Sequence, residues 1–295
     1  KKVFKEHKGA LYAIAPSDKE NLIFVAGSDR TVIEFDLETL EAKRLVAKSA
    51  AAVMSLLYFP EKKHLLIGQA EGGVHVVDLN QNKEIHYLKI HKGYIFDLCY
   101  LKEKNEIVLS SGDGSISIWS ADDYKLLYQK EVCEQKIRKI DYSSSRKEIA
   151  LACGDGIVRV FSTEDYQEKF TLGPLKSAIN TVRFNDENQS MLVGEKDAHL
   201  SLYDLNSKEQ IMDLVAHYWA IYDIAFSYEN KLFATASRDK TIKIWDTQRM
   251  VVLKRIEGLK DKAHTHSVNG LYWTNFKNYL ISIGDDGALR IWSVS

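Results

Sequence analysis

The chain has 295 residues, 45% of them hydrophobic and 27% charged, a profile ordinary for a soluble globular protein. Forty Lys and Arg stand against 41 Asp and Glu, and the net charge of −1 argues against a general nucleic-acid or anionic-membrane binder. No apolar run approaches the ~20 residues of a membrane helix, and the start Lys1-Lys2-Val3-Phe4 is too charged for a signal peptide.

In chain order, one pattern recurs: a small or polar turn, an acidic residue, an alternating strand and an aromatic or apolar anchor. The anchors are Phe35, Val77, Trp119, Phe161, Tyr203, Trp245 and Trp292. The first six are spaced by 42 residues and the last step is 47, which places a five-residue insertion before the seventh unit. Six residues before each anchor stands Asp29, Glu71, Asp113, Asp155, Asp197, Asp239 or Asp286. Each unit reads as four short strands. The sixth shows them as Ala220–Phe226, Lys231–Ala236, Thr241–Trp245 and Met250–Ile256. Period-two alternation and β-branched residues favour strand over helix throughout.

A four-stranded unit has two apolar faces that it cannot bury alone, and radial stacking buries both. The expected fold is therefore all-β: a seven-bladed β-propeller of four-stranded antiparallel blades, with residues 1–295 as a single domain. The chain ends at Trp292-Ser293-Val294-Ser295, directly after a third strand. Residues 1–6 match in register the fourth strand that precedes His91. The N-terminal strand is therefore expected to complete the last blade and cover its open edge.

The units resemble the WD-repeat family, whose signature is a Gly-His pair, a turn aspartate and a terminal Trp-Asp. Histidine stands 28 residues before the anchor at His7, His91, His217 and His264. Trp-Asp survives at Trp245-Asp246, and glycine precedes none of these histidines. The set His91, Ser111, Asp113 and Trp119 recurs at the same offsets as His217, Ser237, Asp239 and Trp245. A hydrolase triad has no reason to repeat from blade to blade. The resemblance implies a structural network of these residues, which satisfies buried polar groups and ties a loop to the sheet.

No metal or cofactor is expected. His264 and His266 with Asp261 read as part of a solvated loop in the insertion. Cys99, Cys133 and Cys153 are an odd set without metal spacing, and read as reduced core or near-core thiols of a cytoplasmic protein. Glu34 fills a slot that is apolar in the other units, so it is either paired with a basic group or placed at a blade edge.

The resemblance also places exposed positions three and five residues after the histidine slot and one before the turn acid. There the chain offers Tyr12, Met54, Tyr94, Phe96, Lys136, Arg138, Tyr222 and Arg238. Aromatic and Arg residues are favoured at interface hot spots. The expected function is a non-catalytic scaffold, a monomeric propeller that binds, on its histidine-end face around the central channel, a protein or peptide with an apolar anchor and an acidic flank. The alternatives are a propeller enzyme or small-molecule binder using the central channel, and an aromatic-cage reader of a modified cationic side chain.

Overall fold

The computed structural model describes residues 2–294. The fold is that of a seven-bladed β-propeller, with seven four-stranded antiparallel sheets. Six sheets run through four consecutive strands, as in blade 3 with Ile95–Leu101, Glu106–Ser111, Ser115–Ser120 and Leu126–Glu131. The seventh takes Val268–Trp273, Tyr279–Gly284 and Leu289–Ser293 and is completed by Lys2–Phe4. Lys2 pairs with Ile291, Val3 with Arg290 and Phe4 with Leu289. The insertion before blade 7 folds into a single helical turn, Gly258–Asp261. No helix among the described residues is long and apolar enough to cross a membrane.

The chain groups into two compact units. One takes Lys1–Ala70, Val74–Tyr87 and Tyr222–Ser295, and so holds blades 1 and 7 and nearly all of blades 2 and 6. The other takes Glu71–Gly73 and Leu88–Ile221, with blades 3, 4 and 5.

Within each unit the core lies between successive blades, as alternating apolar faces require. In the first unit Phe4, Leu11, Ile23, Phe35, Ile283 and Ile291 pack blade 7 against blade 1. In the second, Val108, Ile118, Ile140, Leu151 and Phe161 pack blade 3 against blade 4. Outer strands such as Leu126–Glu131 are mostly exposed.

Inside each unit, carboxylates also join blades. Asp97 accepts the Ile140 amide at 3.0 Å, Asp141 the Phe184 amide at 2.6 Å and Asp223 the Leu271 amide at 2.9 Å. First strands have one edge without a ladder partner, and these bonds satisfy an amide there. Glu34 is 4% exposed and is paired, accepting from Arg44 Nε at 2.7 Å across the sheet. That geometry supplies the basic partner which a buried carboxylate requires.

The N-terminal strand contributes packing as well as hydrogen bonds, since the Phe4 ring stands edge-on to Phe35 with centroids 5.4 Å apart. Deleting residues 1–6 should therefore lower the melting temperature. It should also promote self-association, because the Leu289–Ser293 strand would become an open edge. Calorimetry and light scattering check this, and an unchanged melting temperature with no added association would contradict it.

Candidate functional site

The turn between second and third strands is held by its acidic residue. Asp113 accepts the Ser115 amide at 3.1 Å and the Ser115 hydroxyl at 2.6 Å. It also accepts the Lys92 amide at 2.8 Å and lies 3.2 Å from His91 Nδ1. Asp29 makes the same set with Thr31, Lys8 and His7. Asp286 accepts the Ala288 and Thr265 amides and lies 2.8 Å from His264 Nδ1; with no hydroxyl at Ala288, it is instead joined by Arg290 at 2.9 Å. The connection entering each of these blades is thereby fastened to the blade's own hairpin.

On its other side, His91 Nε2 lies 2.7 Å from Ser117 Oγ, which accepts Trp119 Nε1–H at 2.8 Å. A neutral imidazole satisfies the whole chain: indole to hydroxyl, hydroxyl to Nε2, and Nδ1–H to the carboxylate. The serine in this chain is Ser117. Ser111 instead accepts the Asp113 amide at 3.2 Å. In blade 7, Ser282 lies 2.8 Å from His264 Nε2 and accepts Trp292 Nε1–H at 2.9 Å. In blade 6, Trp245 donates to Thr235 at 3.0 Å, the Asp239 amide to Ser237 and Thr241 to Asp239. His217, which holds the matching slot in the sequence, is buried. Ser115 and Ser117 are both buried, which is the wrong environment for a nucleophile that must meet substrate.

His264 is a correction to the loop reading, because it is buried in this network while His266 is exposed. Burial, with the Arg290 charge nearby, holds His264 below the usual histidine value, and burial does the same for His91. Burial would raise Asp286, but hydrogen bonds from His264 and the Thr265 amide and the Arg290 charge hold it well below the usual carboxylate range.

The residue five positions after the histidine slot lies at a break in register. The first strand skips a partner between Leu11 and Ala13, Val53 and Ser55, Ile95 and Asp97, and Ile137 and Lys139. The skipped residues are Tyr12, Met54, Phe96 and Arg138. A β-bulge takes such a residue out of the ladder and re-aims its side chain.

In the second unit these residues form a cluster. Tyr94 is 49% exposed and meets Phe96 edge-on at 5.5 Å, while the Arg138 guanidinium lies 5.1 Å from the Phe96 ring centre. Lys136 and Lys196 are exposed. Partial desolvation, then the charges of Arg138 and Lys196, hold Lys136 below the ordinary lysine value, so the three cations share one neighbourhood. In the first unit Tyr12, Met54 and Tyr222 are half-buried and Arg238 is exposed.

A family model for the WD domain, G-beta repeat, matches residues 1–36, 82–120, 208–246 and 257–293, half of the chain. Each matched segment carries one of the histidines His7, His91, His217 and His264. The chain belongs to the WD-repeat family. No curated protein matches it.

This WD-repeat protein departs from its family signature in blades 2, 4 and 5, where Ser49, Cys133 and Leu175 take the histidine slot. In blade 4, Arg159 takes both oxygens of the turn residue Asp155, at 3.0 and 2.7 Å. Sequence reasoning missed Ser117, Thr235 and Ser282. Thr235 and Ser282 sit on second strands opposite Lys243 and Arg290, and Ser117 sits on a third strand opposite Leu109. A hydroxyl on either member of this cross-strand pair is therefore the signal. Sequence reasoning also passed over Tyr218 and Trp219, exposed aromatics directly after His217.

Two outcomes follow from the network. Ser117→Ala leaves a buried indole N–H and an imidazole nitrogen unpaired, and should cost about 1–3 kcal/mol in chemical denaturation, more than Ser111→Ala. On acidification the unfolded chain protonates His91 and His264 near 6.5, whereas the folded chain resists. Their stabilisation is present above that pH and is lost as pH falls through the lower folded values. The melting temperature should accordingly fall below pH 6.5, with a shallower fall in His91→Gln. Identical pH profiles would contradict this.

Proposed function

We propose that this WD-repeat protein is a non-catalytic docking platform for a protein or peptide that carries an apolar anchor flanked by acidic groups. WD-repeat propellers are generally protein-interaction scaffolds rather than catalysts. The observation that carries the finer reading is the Tyr94–Phe96–Arg138 cluster, with aromatic surface exposed beside three cations. Aromatic anchors ringed by charge suit an apolar side chain with acidic neighbours. Lys136, Arg138 and Lys196 would receive the acidic groups. Tyr12, Met54, Tyr222 and Arg238 are proposed as partner contacts of their own unit, on the same slot logic.

The cation-reader alternative is disfavoured, because Arg138 already occupies a face of Phe96 and the nearby lysines repel a further cation. The odd number of cysteines, three, is in keeping with a reducing, cytoplasmic setting.

Selection from a random peptide display library, followed by anisotropy measurements on purified peptides, tests the proposal. Enriched peptides should combine an aromatic or aliphatic residue with Asp or Glu. The Phe96→Ala, Arg138→Glu double variant should fold normally and lose about 2 kcal/mol or more of binding, roughly thirtyfold in Kd. Salt should weaken binding only moderately, since the apolar anchor is not screened. Peptides that bind the double variant as tightly as the parent would place the site elsewhere.

A further inference from the structure

In blade 4 two of the family's network positions are changed together. Cys133 stands where four other blades have histidine, and Cys153 stands where blades 3 and 6 have Ser111 and Ser237. The turn acid Asp155 remains. These residues come from a connection and from the end of a second strand, twenty positions apart. Yet Cys133 Sγ, Cys153 Sγ and an Asp155 carboxylate oxygen all lie within 4.8 Å of one another. We infer that Cys133 and Cys153 form a dithiol pair that a hydroperoxide oxidises to an intramolecular disulfide, stapling the connection that enters blade 4 to that blade's own sheet.

The surroundings suit this chemistry. Cys133 is half-buried in the connection between Leu126–Glu131 and Ile137–Ser143, and Cys153 is fully buried at the end of Glu148–Cys153. The Cys133 amide donates to the Gly114 carbonyl at 3.1 Å, which pins its backbone. Gly114 has φ 81°, and a Cβ there would stand 1.9 Å from the Cys133 carbonyl oxygen, so this approach requires glycine. The Cys133 thiol donates to the Gln135 carbonyl at 2.9 Å and the Cys153 thiol to the Leu151 carbonyl at 3.7 Å. The adjacent Cys153 thiol brings Cys133 down to about 7 against the opposing effect of burial, and the Arg159 charge adds to the lowering. The adjacent Cys133 thiol, then burial, pushes Cys153 up. The half-buried Cys133 is thus the more acidic member and the one that supplies a thiolate, and the buried Cys153 keeps its proton.

The donor set of two thiols and a carboxylate also resembles a zinc site. Arg159 argues against that use, because it holds both Asp155 oxygens and places a positive charge beside the sulfurs.

The reaction balances in two steps. The Cys133 thiolate attacks the terminal oxygen of the hydroperoxide. The O–O bond breaks, the alkoxide or hydroxide leaves and takes up a proton, and Cys133 becomes a sulfenic acid. Cys153, giving up its proton, then attacks that sulfur; the S–O bond breaks, water leaves and the disulfide forms. Formation of the bond brings the sulfurs to about 2 Å, which side-chain rotation in the connection allows. Reduction by an external dithiol restores both thiols.

The test treats the reduced full chain with hydrogen peroxide, removes the oxidant, unfolds it and alkylates with iodoacetamide. Trypsin cuts at Lys136, Arg138, Arg146 and other sites between the two cysteines, so a bonded pair appears as two linked peptides. The expected result is a monomer lighter by two hydrogens, alkylated at Cys99 alone, with linked 133 and 153 peptides that dithiothreitol separates. Its melting temperature should rise on oxidation. Cys99, whose thiol burial pushes well up, is the internal control. In Cys153→Ser, which installs the residue found in blades 3 and 6, Cys133 should stop at a sulfenic acid trapped by dimedone. The inference is overturned if oxidised parent protein still alkylates at Cys133 and Cys153. Intermolecular linkage, or tightly retained zinc that blocks the oxidation, would also overturn it.

Discussion

In blades 1, 3 and 7 the turn carboxylate is the contact on which the rest of the blade depends. A carboxylate offers about four acceptor positions. In blade 3, Asp113 gives two to Ser115 and so closes its own hairpin. It gives the others to the Lys92 amide and to His91, which belong to the connection arriving from the previous blade. One residue thus fixes where the first strand begins relative to the second and third. The exposed Tyr94 and the bulge at Phe96 lie directly after this anchored connection. Charge-assisted bonds to backbone amides suit this task, because they are stronger than neutral ones and leave no donor stranded.

The fold constrains some slots and leaves others open. Strand alternation and packing between successive blades demand apolar residues, and the turn demands an acid. The bulge position carries neither demand, because its side chain has left the ladder. Tyr12, Met54, Phe96 and Arg138 can therefore differ in size and charge on the same backbone feature. Variation at such positions is how a repeated scaffold presents a non-repeating surface. The same freedom appears in the networks. Once Arg159 takes over Asp155, blade 4 no longer needs an imidazole, and a thiol can occupy the slot.

The 42-residue register, the anchors and the missing last strand were all legible in the sequence, and so determined seven antiparallel blades and the pairing of Lys2–Phe4 with Leu289–Ile291. That legibility has a physical cause: a repeated unit must satisfy the same burial and turn geometry each time, so its constraints print themselves in register. What depends on neighbours across strands did not print. Ser117, rather than Ser111, bridges His91 and Trp119, because only the sheet register brings that hydroxyl between the two rings. Arg44 meets Glu34 through strand pairing. Cys133 and Cys153 look unrelated at their spacing, and it is the closing of a connection onto a hairpin that brings their sulfurs together. Periodicity along a chain records each residue's own burial, whereas such meetings are properties of two or more segments and exist only once the blade has folded.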